Sequence, residues 1–144
     1  MIRYALSEQA SAHNITFELP RPGDAGFDIR AAETITLFSG EQKLIRTGLF
    51  LEIEKGFVGI IKDRSSLASK QIYTHGGVID SSYRGEVSII LENRSKQNFH
   101  IEPSQRIAQI LFIPAHIPSV LNEVDVDELT PTDRGSGGFG STGR

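Results

Sequence analysis

The stretch GGVIDSSYRGEV, residues 76 to 87, holds in twelve positions two glycines, a carboxylate, an aromatic ring, an arginine and the start of a strand. Gly76 and Gly77 let the backbone approach a neighbour closely. Val78 and Ile79 make a short apolar step, Asp80 heads the turn-prone Asp-Ser-Ser-Tyr, and Arg84-Gly85 closes the excursion. The stretch therefore reads as a β-hairpin presenting bare backbone, one acid and one ring. Such a tip suits gripping a planar ring and doing chemistry beside it. The same residues also fit an ordinary hairpin with a polar end.

Outward from the hairpin the strand rhythm continues in both directions. Val87, Ile89 and Leu91 alternate, Phe99 and Ile101 belong to a further strand, and RIAQILFI, residues 106 to 113, reads as a central strand. Upstream, residues 57 to 62 form a short, mostly buried strand. Leu49, Leu51 and Ile53 recur at period two within residues 43 to 53, with Gly48 as a bend or bulge. Residues 34 to 38 alternate polar and apolar, and residues 2 to 6 read as an edge strand. Residues 15 to 19 are expected to be extended, residues 120 to 126 alternate once more, and residues 7 to 14 are polar without a pattern. DRSSLASK, residues 63 to 70, breaks the rhythm and predicts one helical turn, the only helix expected, with Ser65 or Ser66 as its cap. Many short strands joined by Gly, Pro and Ser turns predict an all-β fold, a sandwich or a jelly-roll-like β-barrel.

A chain of 144 residues fits one domain with a real core. Cysteine is absent, so neither a disulfide framework nor a thiolate metal site is expected, which is compatible with a reducing compartment. No apolar run approaches the roughly 18 residues of a membrane helix, and the first residues lack a signal layout. The expectation is a soluble cytoplasmic protein without a membrane partner. A net charge of -3 argues against non-specific nucleic-acid binding. Any anion must be held by a local cluster. His13, His75, His100 and His116 are scattered without zinc-site spacing.

The last stretch, TPTDRGSGGFGSTGR from Thr130, cannot form a core: five glycines and two arginines fall in its final eleven residues, with Phe139 the one apolar side chain there. It reads as a flexible Gly-rich arm, residues 134 to 144, following a single domain of residues 1 to 133. Its ring, guanidinium and hydroxyls are parts with which an arm can close over a base and phosphates.

Five stretches in order, PGDAGFDIRA, DRSSLASK, GGVIDSSYRGEV, RIAQILF and RGSGGFGSTG, spanning residues 22 to 143, resemble the motifs of the homotrimeric dUTP pyrophosphatase (dUTPase) family. The resemblance implies hydrolysis of dUTP to dUMP and pyrophosphate with Mg²⁺, which limits uracil in DNA and supplies dUMP for thymidylate synthesis. It also implies a jelly-roll-like barrel and a homotrimer whose active sites are shared between subunits.

Residue by residue, the resemblance implies that Asp80 activates the attacking water and Arg64 stabilises charge in the transition state. Gly77, Val78 and Ile79 would offer backbone to uracil, Tyr83 would lie under the deoxyribose, and Phe139 would stack on the base. Ser65, Ser66, Gln109, Arg134, Gly140, Ser141 and Thr142 would hold the phosphates. Asp28 would bind Mg²⁺ through its water shell, with Asp24 as runner-up.

Two positions depart from the commonest pattern of that family: Ser66 stands where Gly is expected, and Asp63 where Pro is expected. The Arg-Ser-Ser-Leu form is similar to the related dCTP deaminases. Those need a catalytic glutamate at the position held here by Ile90, with Glu92 two residues on, so deamination ranks low. A non-catalytic nucleotide-binding regulator is a further alternative.

Overall fold

The computed structural model describes residues 1–137. Eleven strands and two short helices follow one another: β1 (Arg3–Leu6), α1 (Glu8–Ala12), β2 (Phe27–Arg30), β3 (Ile35–Leu37), β4 (Gln42–Ile45), β5 (Leu49–Glu52), β6 (Phe57–Lys62), α2 (Ser65–Ala68), β7 (Ile72–His75), β8 (Val78–Ile79), β9 (Ile89–Asn93), β10 (Phe99–Ile101) and β11 (Arg106–Pro114). A 3-10 turn follows at Val126–Glu128. The fold is all-β, as the alternation predicts. The ladders form four sheets in the orders β2-β11-β6-β8, β4-β9-β7, β1-β5 and β10-β3, and no ladder closes them into a ring among the described residues. Every pair is antiparallel.

Strand alternation builds the core. In β9, Ile89, Leu91 and Asn93 point inward, and in β5 Leu49 and Leu51 do. The apolar ones, Ile89, Leu91, Leu49 and Leu51, join Ile29, Leu37, Ile45, Ile72, Ile101, Ile107 and Ile110 in one buried cluster. Each such side chain contributes roughly 1.5–3 kcal/mol by leaving water. The exposed ion pairs contribute at most about 1 kcal/mol each, so apolar burial holds the fold. One buried polar side chain is fully used: Asn93 donates to the carbonyls of Leu37 (2.9 Å) and Gln97 (2.8 Å) and accepts from the N–H (3.0 Å) and hydroxyl (2.7 Å) of Ser95.

β11 is the central strand expected of RIAQILFI, flanked by β2 and β6. The chain from 43 to 53 divides into β4 and β5 at Gly48, whose φ of +64° lies in the left-handed region. That corner is held from outside by Glu86, which accepts from the N–H groups of Thr47 (3.0 Å) and Gly48 (2.8 Å) and pairs with Arg46 (3.1 Å).

Three expectations need correction. Residues 8–12 form α1, because Ser7 caps it by accepting the Ala10 N–H at 3.1 Å; a helix this short shows no apolar period, and only Ala10 is buried. At α2 the N-cap is Arg64, without a side-chain cap bond, so Ser65 and Ser66 lie inside the helix. Residues 15 to 19 alternate in burial, Ile15 and Phe17 inside and Thr16 and Glu18 outside, and join no ladder among the described residues. Residues 120 to 126 are not a strand: Val120, Leu121, Val124 and Val126 alternate in sequence yet stay exposed, with no inner face to bury.

Candidate active site

The cleft that gathers charge lies beside β2, β11 and the start of α2 and has a volume of about 640 Å³. Four arginines line it, Arg21, Arg30, Arg64 and Arg106, against the carboxylates of Glu18, Asp24 and Asp28. The chain carries net negative charge, so this cleft concentrates cations where the average surface does not. Ser65, Ser66 and Gln109 add neutral donors. The cluster can bind an anion with several oxygens.

Local sequence explains each placement. Alternation along β2 puts Asp28 and Arg30 on one face, two residues apart. Asp28 accepts from Arg64 Nε at 2.9 Å and pairs with Arg106 Nε at 3.2 Å, one carboxylate oxygen to each. Arg30 is anchored by donating to the Ser104 carbonyl at 2.9 Å. Gln109 lies opposite Asp28 across the β2–β11 ladder and donates to the Asp63 carbonyl at 2.8 Å. Gly26 makes room for it, since a Cβ there would overlap the Gln109 amide.

The sequence reading missed Arg106 as part of this cleft, and the structure supplies the reason. Arg106 and Gln109 are three apart and would face opposite ways in a regular strand. A register shift between Arg106 and Ala108 turns the strand, so both reach the cleft. Arg30 was legible in principle from its period-two spacing to Asp28.

The hairpin stands apart from this cleft. Among the described residues β8 is the edge strand of its sheet, paired only with β6. Gly76 and Gly77 have φ of +69° and +112°. Gly77 packs on Ile61 so closely that a Cβ would lie 3.0 Å from the Ile61 Cβ, and its carbonyl accepts the Ile61 N–H at 2.8 Å. Val78 is 66% exposed and Tyr83 45% exposed, Asp80 is exposed, and Ile79 is partly buried. The Tyr83 hydroxyl donates to the Glu86 carbonyl at 3.0 Å. None of residues 76 to 83 lines the cleft that holds Arg64. The structure thus brings Asp28, Arg64, Ser65, Ser66 and Gln109 together and leaves Gly77, Val78, Ile79, Asp80 and Tyr83 as a separate group, of which Val78, Asp80 and Tyr83 are exposed.

Arg134 donates to the Gly137 carbonyl at 2.9 Å in a turn near the end of the described residues. Phe139, Gly140, Ser141 and Thr142 lie outside them. Glu92 is held by His75 at 2.6 Å and by Arg94 at 2.8 Å, and Arg94 lies over the Tyr73 ring. The hydrogen bond from His75, joined by that from Arg94, holds the Glu92 carboxyl below the usual range against its partial desolvation. A carboxylate so stabilised is poorly suited to pick up and return protons at a pyrimidine. Ile90, beside it in β9, has no proton to transfer.

The all-β scaffold thus carries an arginine-rich cleft able to bind an anion and, apart from it, a glycine hairpin. The sequence model of the dUTPase family matches residues 12–143. The deoxyuridine 5'-triphosphate nucleotidohydrolase of Nautilia profundicola is 44% identical over 123 residues, covering 83% of this chain and 84% of that protein. The cowpox virus protein of the same name is 41% identical over 122 residues, covering 85% and 81%. A Staphylococcus bacteriophage 80alpha dUTPase structure with dUpNHpp superposes with a TM-score of 0.89 at 28% identity, covering 100% of this chain and 99% of the phage chain. A phage phi11 dUTPase structure, described for the coordination of a structural Mg(II) ion, gives 0.78 at 25% identity over 88% and 99%. This chain belongs to the dUTPase family.

Proposed function

We propose that this chain hydrolyses dUTP to dUMP and pyrophosphate, with the arginine cleft holding the triphosphate and the 76–83 hairpin holding the deoxyuridine. The observation that carries the reading is the division of labour in the fold. One region concentrates guanidinium groups around Asp28, and another presents an open strand edge with bent glycine backbone.

Each residue has a task the geometry supports. Among the described residues β8 pairs on one edge alone, and the open backbone of Val78 and Ile79 pairs with the edge of a uracil. Gly77 has its carbonyl engaged by Ile61 and offers its N–H. Donor and acceptor are exchanged between uracil and cytosine, so fixed backbone groups tell them apart. Tyr83, held through its hydroxyl, is a firm wall against which a deoxyribose packs and a 2′-hydroxyl does not. Asp80 is exposed and accepts a hydrogen bond from the water that attacks the α-phosphate. Arg64, oriented by Asp28, stabilises the charge that develops on the phosphate oxygens. Ser65, Ser66, Gln109 and Arg106 bind the same oxygens.

Phosphate end and base end lie apart within one chain, so a complete site takes the hairpin of one copy against the cleft of another. A homotrimer of jelly-roll-like domains, residues 1 to 133, meets that need, with residues 134 to 144 as the arm that closes over the ligand. Within the arm, Arg134, Gly140, Ser141 and Thr142 contact the phosphates and Phe139 stacks on the base. A soluble cytoplasmic enzyme with no nucleic-acid partner fits these parts.

Among the described residues no three His, Asp or Glu side chains gather to hold a metal. The donor set, one central carboxylate with Asp24 nearby, fits a hard cation held mainly by substrate oxygens and water, as Mg²⁺ prefers. Asp28 would hold its water shell. When bound, the ion neutralises triphosphate charge.

The test is pyrophosphate release from dUTP with Mg²⁺, beside dCTP, UTP and dTTP, with ammonia assayed in parallel. Turnover of dUTP alone, reduced about 10²–10⁴-fold by Asp80→Asn, is the expected result. Ammonia from dCTP would replace this reading with deamination, and tight dUTP binding without turnover would replace it with a binding role.

A further inference from the structure

Asp63 lines neither the cleft nor the hairpin, yet it ties the cleft to β7, the strand that leads into the hairpin. Its carboxylate oxygen Oδ1 accepts two hydrogen bonds from one residue of β7, the Thr74 backbone N–H at 2.6 Å and the Thr74 hydroxyl at 2.7 Å. Its own carbonyl accepts the Gln109 side chain at 2.8 Å. Directly after it comes Arg64, whose backbone is the N-cap of α2 and whose side chain meets Asp28. The α2 cap has no side-chain bond of its own. The backbone from which Arg64, Ser65 and Ser66 enter the cleft is thus tied to the sheet at Asp63, through one carboxylate oxygen to β7 and one carbonyl to β11.

We infer that Asp63 is a positioning residue for the phosphate end of the site, an inference that rests on the dUTP reading above. The grip on Thr74 fixes where the chain leaves β6, and thereby where Arg64 points. A guanidinium that must meet charge appearing only in the transition state loses most when its base of support moves. The bonds are charge-assisted and partly shielded, so they hold direction better than an exposed pair does. Asn in this place keeps an Oδ1 that accepts both bonds. Ala removes it and leaves the Thr74 N–H without that acceptor.

The experiment compares wild type, Asp63→Ala, Asp63→Asn and Thr74→Val for dUTP turnover, and for inhibition by deoxyuridine and by pyrophosphate as separate probes of the two ends. Positioning predicts that Asp63→Ala lowers kcat about tenfold and weakens pyrophosphate inhibition by a similar factor. Deoxyuridine inhibition should stay within about twofold, and Asp63→Asn should recover turnover to within about threefold of wild type. Thr74→Val loses one of the two bonds and changes kcat and pyrophosphate inhibition in the same direction by about threefold, which carries the test if the Ala variant does not fold. Unchanged kcat in a folded Asp63→Ala or Thr74→Val protein overturns the inference. So does equal weakening of deoxyuridine and pyrophosphate, which marks a general structural role. Absence of dUTP turnover by the wild-type chain overturns the underlying reading, and this inference with it.

Discussion

Asp28 and Arg64 form an ion pair of 2.9 Å that joins β2 to the N-cap of α2, with side chains 36% and 26% exposed. At that exposure the pair adds at most about 1 kcal/mol to stability. Its consequence is directional. Arg64 is aimed by the same carboxylate that holds Arg106 on its other oxygen at 3.2 Å, so one acid sets two cations around one space.

Asp28→Asn keeps the shape and removes the charge. We expect kcat/KM for dUTP to fall about tenfold or more, equivalent to about 1.4 kcal/mol, with the Mg²⁺ concentration for half-maximal rate rising. The melting temperature should move by no more than about 4 °C. Steady-state pyrophosphate release at several Mg²⁺ concentrations, with a thermal scan, checks both. A large loss of stability at unchanged rate would show that the pair serves the fold.

Glu86 is the acid whose titration matters for the fold. Partial burial pushes its carboxyl up, but hydrogen bonds from the Gly48 and Thr47 N–H groups and from Arg46 outweigh this and hold it below the ordinary 4.5. A carboxyl lowered in the folded state stabilises the protein fully above its unfolded value, and that stability is lost as pH falls through the folded value. The melting temperature should therefore drop as pH falls below about 4.5. In Glu86→Gln this part of the profile should be shallower. At neutral pH the substitution should cost roughly 1–3 kcal/mol, since the Thr47 and Gly48 N–H groups lose a charged acceptor. Equal acid profiles for the two proteins would contradict this assignment.

Asn93→Leu tests the buried amide. The change removes the amide donor from the Leu37 carbonyl in a buried place and the acceptor from the Ser95 N–H at the partly exposed turn beside it, while the Gln97 carbonyl keeps the Ser95 hydroxyl. A loss of roughly 2–4 kcal/mol is expected, read by urea denaturation. A loss under about 0.5 kcal/mol would mean that neighbouring groups re-pair.

Gly26→Ala tests crowding at the cleft. The added Cβ meets the Gln109 amide, which must give up its place beside the Asp63 carbonyl. Turnover of dUTP should fall several-fold. Gly40→Ala, where the added Cβ meets nothing within 4 Å, should cost only about 1 kcal/mol of stability for its positive φ and leave turnover alone. Matching kinetics for the two variants would remove Gly26 from the site.

Much of this protein was legible as sequence. Period-two alternation in residues 87 to 91 and 49 to 53 marks strands with one apolar face to bury, the apolar run of residues 106 to 113 marks a central strand, and the turn residues between them mark an all-β chain. The order of five short motifs points to the dUTPase family, to which the chain belongs. Other features depended on contacts distant in sequence. Helix α1 rests on one serine cap rather than on a period, and the alternation of residues 120 to 126 found no surface to cover. Arg106 reaches the cleft through a register shift in β11 that no spacing rule reveals. Asp63 finds its partner eleven residues away in Thr74. Alternation along a strand is a local steric property, so the sequence determines which face is apolar. Which charged side chains share a cleft depends on which strands pair and in what register, and that is decided only when the core closes.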